Sequence, residues 1–421
     1  MKRVLIITYY WPPTGGSGVQ RWVKFSRHLP EFGWQPVIYT PENPERLAVD
    51  ESLLADIPAE TEIIKTHITE PYALARKLMW KGDGKGAGVN PVNGQEKSFT
   101  QKLALAVRGN CFVPDPRIWW VKPSVRFLKD YLREHPVDVI VSTGPPQSMH
   151  LIARDLHRAT GLPWVADFRD PWTKIFYFKH LGLSKATERK HIELEQSVLD
   201  EATAIVSVSP LVQADFKAAT KTPVHLVTNG YDEDDFAPDR TDAHEGSFRI
   251  VHTGLFASDG NPLALWEALC SLPFRDSLDI RLAGKVDSEI LDAVRARGLG
   301  DRLSVLGYLS HEDSVKELQN ADMLILPLRK EPEYRKVLPG KIFEYLAARK
   351  PVLGIGQVDG AAAKVLRDTG AGIMVDWPES EAMADFICRV KDGGFQAAGT
   401  GIDAYSRRTL TGEMVKLFES I

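Results

Sequence analysis

Apolar residues along this chain gather in short, β-branched runs, and between the runs they recur every three or four positions. That alternation predicts buried strands, each followed by a helix that covers it. In the first half the runs lie at 4–10, 36–40, within 137–150, at 164–172, at 204–209 and at the start of 225–238. Helical spacing is clearest at 19–29, where Val19, Trp22, Val23 and Leu29 share a face, and at 119–134 and 185–200. The series restarts at 249–253, 279–283, 303–306, 323–327, 352–355 and 373–375, with a helix in every gap and a final helix over 405–421. Between the two series the turn dipeptide Asn229-Gly230 opens an acidic, Pro-containing linker over 229–247. Repeated strand-helix units with continuous apolar strands imply parallel sheets covered on both faces. The expected fold is therefore α/β: two Rossmann-like, doubly wound parallel-sheet domains, 1–228 and 248–404, facing a central cleft that is the default binding site. The helix at 405–421 could pack across both domains.

Composition narrows the function classes. With 421 residues, 43 % of them hydrophobic, the chain is long enough for two or three domains with sizeable cores. A formal net charge of -4, without a basic tail or aromatic-basic alternation, gives no reason to expect nucleic acid as a partner. Cys111, Cys270 and Cys388 have no paired spacing, so neither a zinc site nor a disulfide framework is expected, and the set fits a reducing compartment. The chain enters a strand at once and has neither a signal-peptide core nor an apolar stretch that would span a bilayer. A soluble cytoplasmic protein is expected. The stretch 65–108 is basic and Gly-rich, which reads as an insertion packing on its own domain. Peripheral docking on anionic lipid at the inner membrane face is the alternative.

Candidate chemistry concentrates in LPGKIFEYLAARKPVLGIG, residues 338–356. Pro339 and Gly340 form a turn that releases a short helix from Lys341, and Glu344 falls in its first turn. A first turn offers free backbone N–H groups to an anion, and Glu344 can accept hydrogen bonds from neighbouring hydroxyls. Phosphate beside a diol describes a nucleotide. The same pattern also suits a solvated glutamate that complements the helix dipole. After the first strand, WPPTGGSG carries Gly15, Gly16 and Gly18, whose backbone could approach a phosphate or sugar, although the spacing matches neither dinucleotide nor P-loop fingerprints. The strand at 164–172 delivers Asp167, Arg169 and Asp170 to its C-terminal end, either as ligands of sugar hydroxyls or as an internal ion-pair cluster. His150 reads as a ligand contact or a helix-capping residue.

TGGSG after the first strand, VSVSP followed by TNGYDEDDF, NADMLILP, and PGKIFEYLAARKPVLGI together resemble a GT-B glycosyltransferase of glycosyltransferase family 4, over nearly the whole chain. The resemblance implies a retaining transfer of a sugar from a nucleotide-diphosphate donor, a UDP- or GDP-sugar. The acceptor would be a hydroxyl of a glycan or lipid-linked molecule, in cell-surface polysaccharide or glycoconjugate synthesis. It implies that the C-terminal half binds the donor and the N-terminal half the acceptor, with no metal and no cofactor beyond the co-substrate. Carried over by position, Glu344 would bind the ribose hydroxyls, the Gly15 and Gly16 backbone would approach the donor phosphate or sugar, and Asp170 would sit where the family has an acceptor-side residue. Asp170 and Lys341 are the expected catalytic residues, with Gly340 beside the donor and Asp167, Arg169 and His150 on the acceptor side.

Two positions depart from the family pattern. An Arg and a Lys are usual in the loop after the first strand of the second half, where this chain has HTGLFASDGNP, with Leu255 and Gly260 near the expected places. Lys336 stands where a second glutamate is usual, eight residues before Glu344. Charge developing on a departing diphosphate still needs hydrogen-bond donors. Lys341, together with Arg329 or Arg335 from LRKEPEYRKVLPGK, is expected to replace the missing pair. A nucleotide-sugar 2-epimerase and a non-catalytic sugar-nucleotide-binding protein are the alternatives.

Overall fold

The computed structural model describes residues 1–45, 49–70, 109–236 and 246–421. Most of the stretch at 65–108, with the membrane contact expected there, lies outside the described residues, as does the middle of the linker. The chain divides into two compact units, Met1–Thr228 with Leu410–Ile421, and Asn229–Thr409.

The first unit is built on a parallel sheet of seven strands: β1 (Lys2–Ile7), β2 (Trp34–Pro41), β3 (Glu62–Thr66), β4 (Val139–Gly144), β5 (Trp164–Phe168), β6 (Ala204–Ser207) and β7 (Val224–Leu226). Their order is β3-β2-β1-β4-β5-β6-β7. Helices cover both faces, which is why β1 is a continuous apolar run: Val4 and Ile6 pack with Trp22 and Val23, while Leu5 and Ile7 pack with Leu128 and Ile152. The apolar run continues past β1 because Tyr9 and Trp11 are buried in the following loop. The edge strand β3 has no fully buried residue, so it left no apolar run in the sequence. The last helix, Arg407–Ser420, joins this core through Leu410, Met414 and Phe418, whose ring lies 5.2 Å from that of Trp34.

The second unit carries six parallel strands: β8 (Phe248–Thr253), β9 (Leu278–Ala283), β10 (Leu303–Gly307), β11 (Met323–Pro327), β12 (Val352–Ile355) and β13 (Gly372–Val375), in the order β10-β9-β8-β11-β12-β13. In both sheets the order reverses beside the first strand, between β1 and β4 and between β8 and β11. Loops leaving adjacent strands in opposite directions open a crevice there, the usual ligand position of a doubly wound sheet. None of the described helices is long and apolar enough to cross a membrane.

Candidate active site

At the reversal point of the second sheet, three chain segments converge. The loop after β8 runs from Gly254 to Gly260, the segment after β11 begins at Leu328, and the helix Lys341–Ala347 docks beside both. That helix buries Ile342, Phe343, Tyr345 and Leu346, which leaves Lys341 and Glu344, three residues apart, on its other face. Thr253 N–H donates to the Tyr345 hydroxyl at 3.0 Å and ties the helix to the end of β8. The first-turn amides differ from expectation. Ile342 and Phe343 N–H already donate to the Pro339 and Gly340 carbonyls, because the turn tightens into i to i-3 bonds, so fewer amides are open to an anion.

The cation of this site is the Lys341 ammonium. It donates to Leu255 O at 3.2 Å and lies 3.2 Å from His252 Nε2. His252 is fully buried, and its Nδ1 sits 3.1 Å from Ile325 O, an atom that can only accept. Nδ1 therefore carries the hydrogen and Nε2 offers its lone pair to the ammonium. Burial, and then the Lys341 charge, hold His252 well below its usual value, so the ring stays neutral. Burial lowers Lys341 to about 8, with Glu344 pulling the other way. Gly254, at φ +92°, fits this corner because a Cβ there would stand 3.3 Å from Lys341 Nζ.

Arg329 reaches the same loop, pairing with Asp259 at 2.8 Å. The two cations thus meet the loop near Leu255 and Gly260, the places where the resemblance led us to expect an Arg and a Lys. Arg335 instead pairs with Asp359 at 3.3 Å, beyond β12. Gly340 is exposed at the start of the short helix. Glu344 is half-buried and makes no hydrogen bond or ion pair with the described residues. Burial raises its carboxyl, with His311, Lys341 and Arg407 opposing and Asp235 adding to the rise.

In the first unit the sequence-predicted residues separate into two groups. Asp167 is inside the sheet, and the internal ion-pair alternative describes it: Arg21 meets it at 2.9 and 3.1 Å, Trp22 Nε1 at 2.7 Å and the Thr143 hydroxyl at 3.0 Å. Burial pushes this carboxyl up, but the Arg21 charge and the bonds from Arg21 and Trp22 prevail and hold it below its usual value. Arg21 also donates to Val227 O and Thr228 O. The sequence offered only one faint signal for it, an arginine beside Trp22 on an otherwise apolar helix face. His150 is also interior: it stacks on Phe168, bonds Ser142 Oγ at 2.8 Å through Nδ1, and is lowered to about 3 by burial. It caps no helix; the helix Ser148–Thr160 begins instead on Asp115, which accepts from the Ser148 N–H and hydroxyl, each at 2.9 Å.

Arg169 and Asp170 remain half-buried at the end of β5. The Arg169 guanidinium donates to Pro145 O and lies over Gly18, where any Cβ would overlap it. Close backbone approach in the glycine loop thus serves an internal arginine at Gly18, while Gly15 is half-buried and Gly16, at φ 118°, is open to solvent. Asp170 makes no hydrogen bond or ion pair with the described residues, and burial raises its carboxyl against the pull of Arg169.

Two family models match the chain in tandem, Glycosyltransferase Family 4 over residues 91–235 and Glycosyl transferases group 1 over residues 247–392. The chain belongs to glycosyltransferase family 4. No curated protein sequence matches this glycosyltransferase. Solved structures do. Sucrose-phosphate synthase from Thermosynechococcus elongatus superposes with a TM-score of 0.65 at 15% identity, covering 100% of this chain and 99% of the other. Anabaena HepE in complex with UDP and glucose gives 0.61 at 14% identity, covering 100% of both chains. A mutant of S. aureus TarM, in complex with Fondaparinux, alpha-GlcNAc-glycerol and UDP, gives 0.60 at 11% identity, covering 99% of this chain and 100% of the other. At such identities the likeness establishes the GT-B fold of this glycosyltransferase.

Proposed function

We propose that this glycosyltransferase moves a hexose, with retention, from a UDP- or GDP-sugar to a hydroxyl of a glycan or lipid-linked acceptor used in cell-surface polysaccharide or glycoconjugate synthesis. The observation that carries the reading is the placement of Lys341 and Glu344 on one face of a short helix: a cation held beside the loop after β8 and a carboxyl group with no hydrogen-bond or ion-pair partner among the described residues. Glu344 accepts from the ribose hydroxyls. Lys341 and Arg329 donate to the diphosphate as it departs, where charge develops and where donors fixed in advance stabilise it most. On the acceptor side Asp170 orients the attacking hydroxyl. Attack from the face the diphosphate leaves lets a phosphate oxygen take the hydroxyl proton, so no protein nucleophile is needed. The protein orients and neutralises. Peripheral membrane contact belongs to the same reading, since a lipid-linked acceptor would be met at a membrane surface.

Incubating the protein with a panel of UDP- and GDP-sugars tests it directly. Release of UDP or GDP that accelerates with a glycan or lipid-linked acceptor and is lost in Lys341→Ala supports transfer. Conversion of the sugar to its 2-epimer without nucleotide release would sink the reading, and so would nucleotide binding with no turnover of any donor.

A further inference from the structure

The helix Lys185–Glu201 buries Thr187, His191 and Glu195 along one face, where a helix covering a sheet would ordinarily place apolar side chains. A carboxylate in such a position is costly unless fixed donors meet it. Here they do. Glu195 Oε1 accepts from Trp172 N–H at 3.3 Å, and Oε2 accepts from Thr173 N–H at 3.2 Å and from the Thr173 hydroxyl. Burial pushes the Glu195 carboxyl up, while the bonds from Thr173 and Trp172 and the Lys174 charge pull it back. One turn earlier on the same helix, His191 Nδ1 accepts from the Trp172 indole N–H at 3.0 Å.

All of these bonds fall on Trp172 and Thr173, just past Asp170. On the other side of Asp170, Arg169 N–H donates to Gly144 O at 3.2 Å and the Arg169 guanidinium donates to Pro145 O, which ties the chain to the end of β4. Between these anchors lie Asp170 and Pro171. The proline ring fixes its own φ and narrows the backbone of the residue before it. The Asp170 side chain makes no hydrogen bond or ion pair with the described residues, so its placement follows from its backbone. Glu195 thus fixes one end of the short span that carries Asp170.

We propose that Glu195 is a positioning residue for the transfer: its carboxylate, with His191 one turn away, holds the turn after β5 so that Asp170 meets the acceptor hydroxyl in one orientation. The inference rests on the transferase reading above and adds to it a buried group that acts through Asp170.

A double-mutant cycle on the whole protein tests it. The donors are UDP-glucose, UDP-galactose, UDP-N-acetylglucosamine and GDP-mannose, the acceptors are octyl glycosides and prenyl-diphosphate-linked sugars, and the fastest pair is carried through the cycle. Asp170→Asn alone should lower kcat. Glu195→Gln keeps the side-chain volume but turns an amide NH2 toward the Thr173 donors. It should lower kcat about tenfold, because a small misplacement of an orienting group is costly, and leave the Kd of UDP or GDP within about twofold of wild type. In the Asp170→Asn background the same change should cost less than about twofold more. Thr173→Val, which removes one of the bonds and keeps the packing, should follow the same pattern with a loss of about threefold, and it decides the matter if Glu195→Gln does not fold. An equal loss in both backgrounds, as a packing role would give, overturns the inference. Full activity in Glu195→Gln or in Asp170→Asn overturns it too. Failure of wild-type protein to release nucleotide with any pair would instead remove the transferase reading.

Discussion

Lys341 Nζ and His252 Nε2 lie 3.2 Å apart, the first on a short surface helix and the second at the buried end of β8. A neutral imidazole whose other nitrogen is fixed by Ile325 O is a directional acceptor, so the ammonium is held at one point rather than free on a flexible stem. This arrangement makes the charge of Lys341 depend on pH in a definite sense. Lys341 is lowered to about 8 in the free protein, so the cation is present below that pH and lost as pH rises through it. Because kcat/KM reports the free enzyme, its profile should fall on the basic side near pH 8. Lys341→Ala should lower kcat by about 10²–10³, and Lys341→Arg should keep part of the rate while removing the basic fall. A flat profile to pH 10 in the wild type would assign the charge to another group.

His252→Phe tests the acceptor role separately. Without the Nε2 lone pair the buried ammonium loses a partner, so the basic limb should move to lower pH and the rate at neutral pH should drop. His252→Gln, which returns an acceptor oxygen, should move the limb back. A packing role alone would alter stability in both variants and leave the limb in place.

The two nearby arginines should behave differently. Arg329 lies at the loop after β8 through Asp259, whereas Arg335 is engaged with Asp359. Arg329→Ala should cut kcat at least tenfold, and Arg335→Ala should stay within about twofold of wild type, as expected for an exposed ion pair of small worth. Steady-state kinetics with a fixed donor decide between them, and equal losses would contradict the assignment.

Glu344→Gln should act on donor binding. A nucleotide at about a hundred times its Kd stabilises the folded state by roughly 2.7 kcal/mol. Thermal unfolding with UDP or GDP should show that shift in the wild type and a clearly smaller one in the variant, while the ligand-free Tm changes little. An equal nucleotide shift in both proteins would exclude Glu344 from the nucleotide site.

Asp167→Asn should be structural. It leaves Arg21 as an uncompensated buried charge, a loss of about 3–5 kcal/mol, readable by calorimetry as a lower Tm. Because Asp167 is held below its usual value in the fold, its contribution is present above the unfolded carboxyl pKa and disappears as pH falls through the folded one. Combining Arg21→Met with Asp167→Leu should recover part of the loss. A normal Tm in Asp167→Asn with failed transfer would return this residue to the acceptor side.

The sequence by itself determined the two parallel sheets, the family, and the helix that carries Lys341 and Glu344. These follow from local properties: β-branched runs buried on both faces, helical spacing between them, and a Pro-Gly turn that starts a short helix. The edge strand β3 escaped because a half-buried strand leaves no continuous apolar run. Only the tertiary structure decided what the polar residues do. Asp167 and Arg21 lie far apart in sequence, yet close a buried pair. Lys341 meets His252 and Leu255 because the helix docks beside the end of β8. The last helix joins the first unit because Met414 and Phe418 complete its core. The physical reason is the same in each case: the environment of a charge is made by residues remote along the chain, and burial, partner and hydrogen-bond geometry exist only after the strands are ordered.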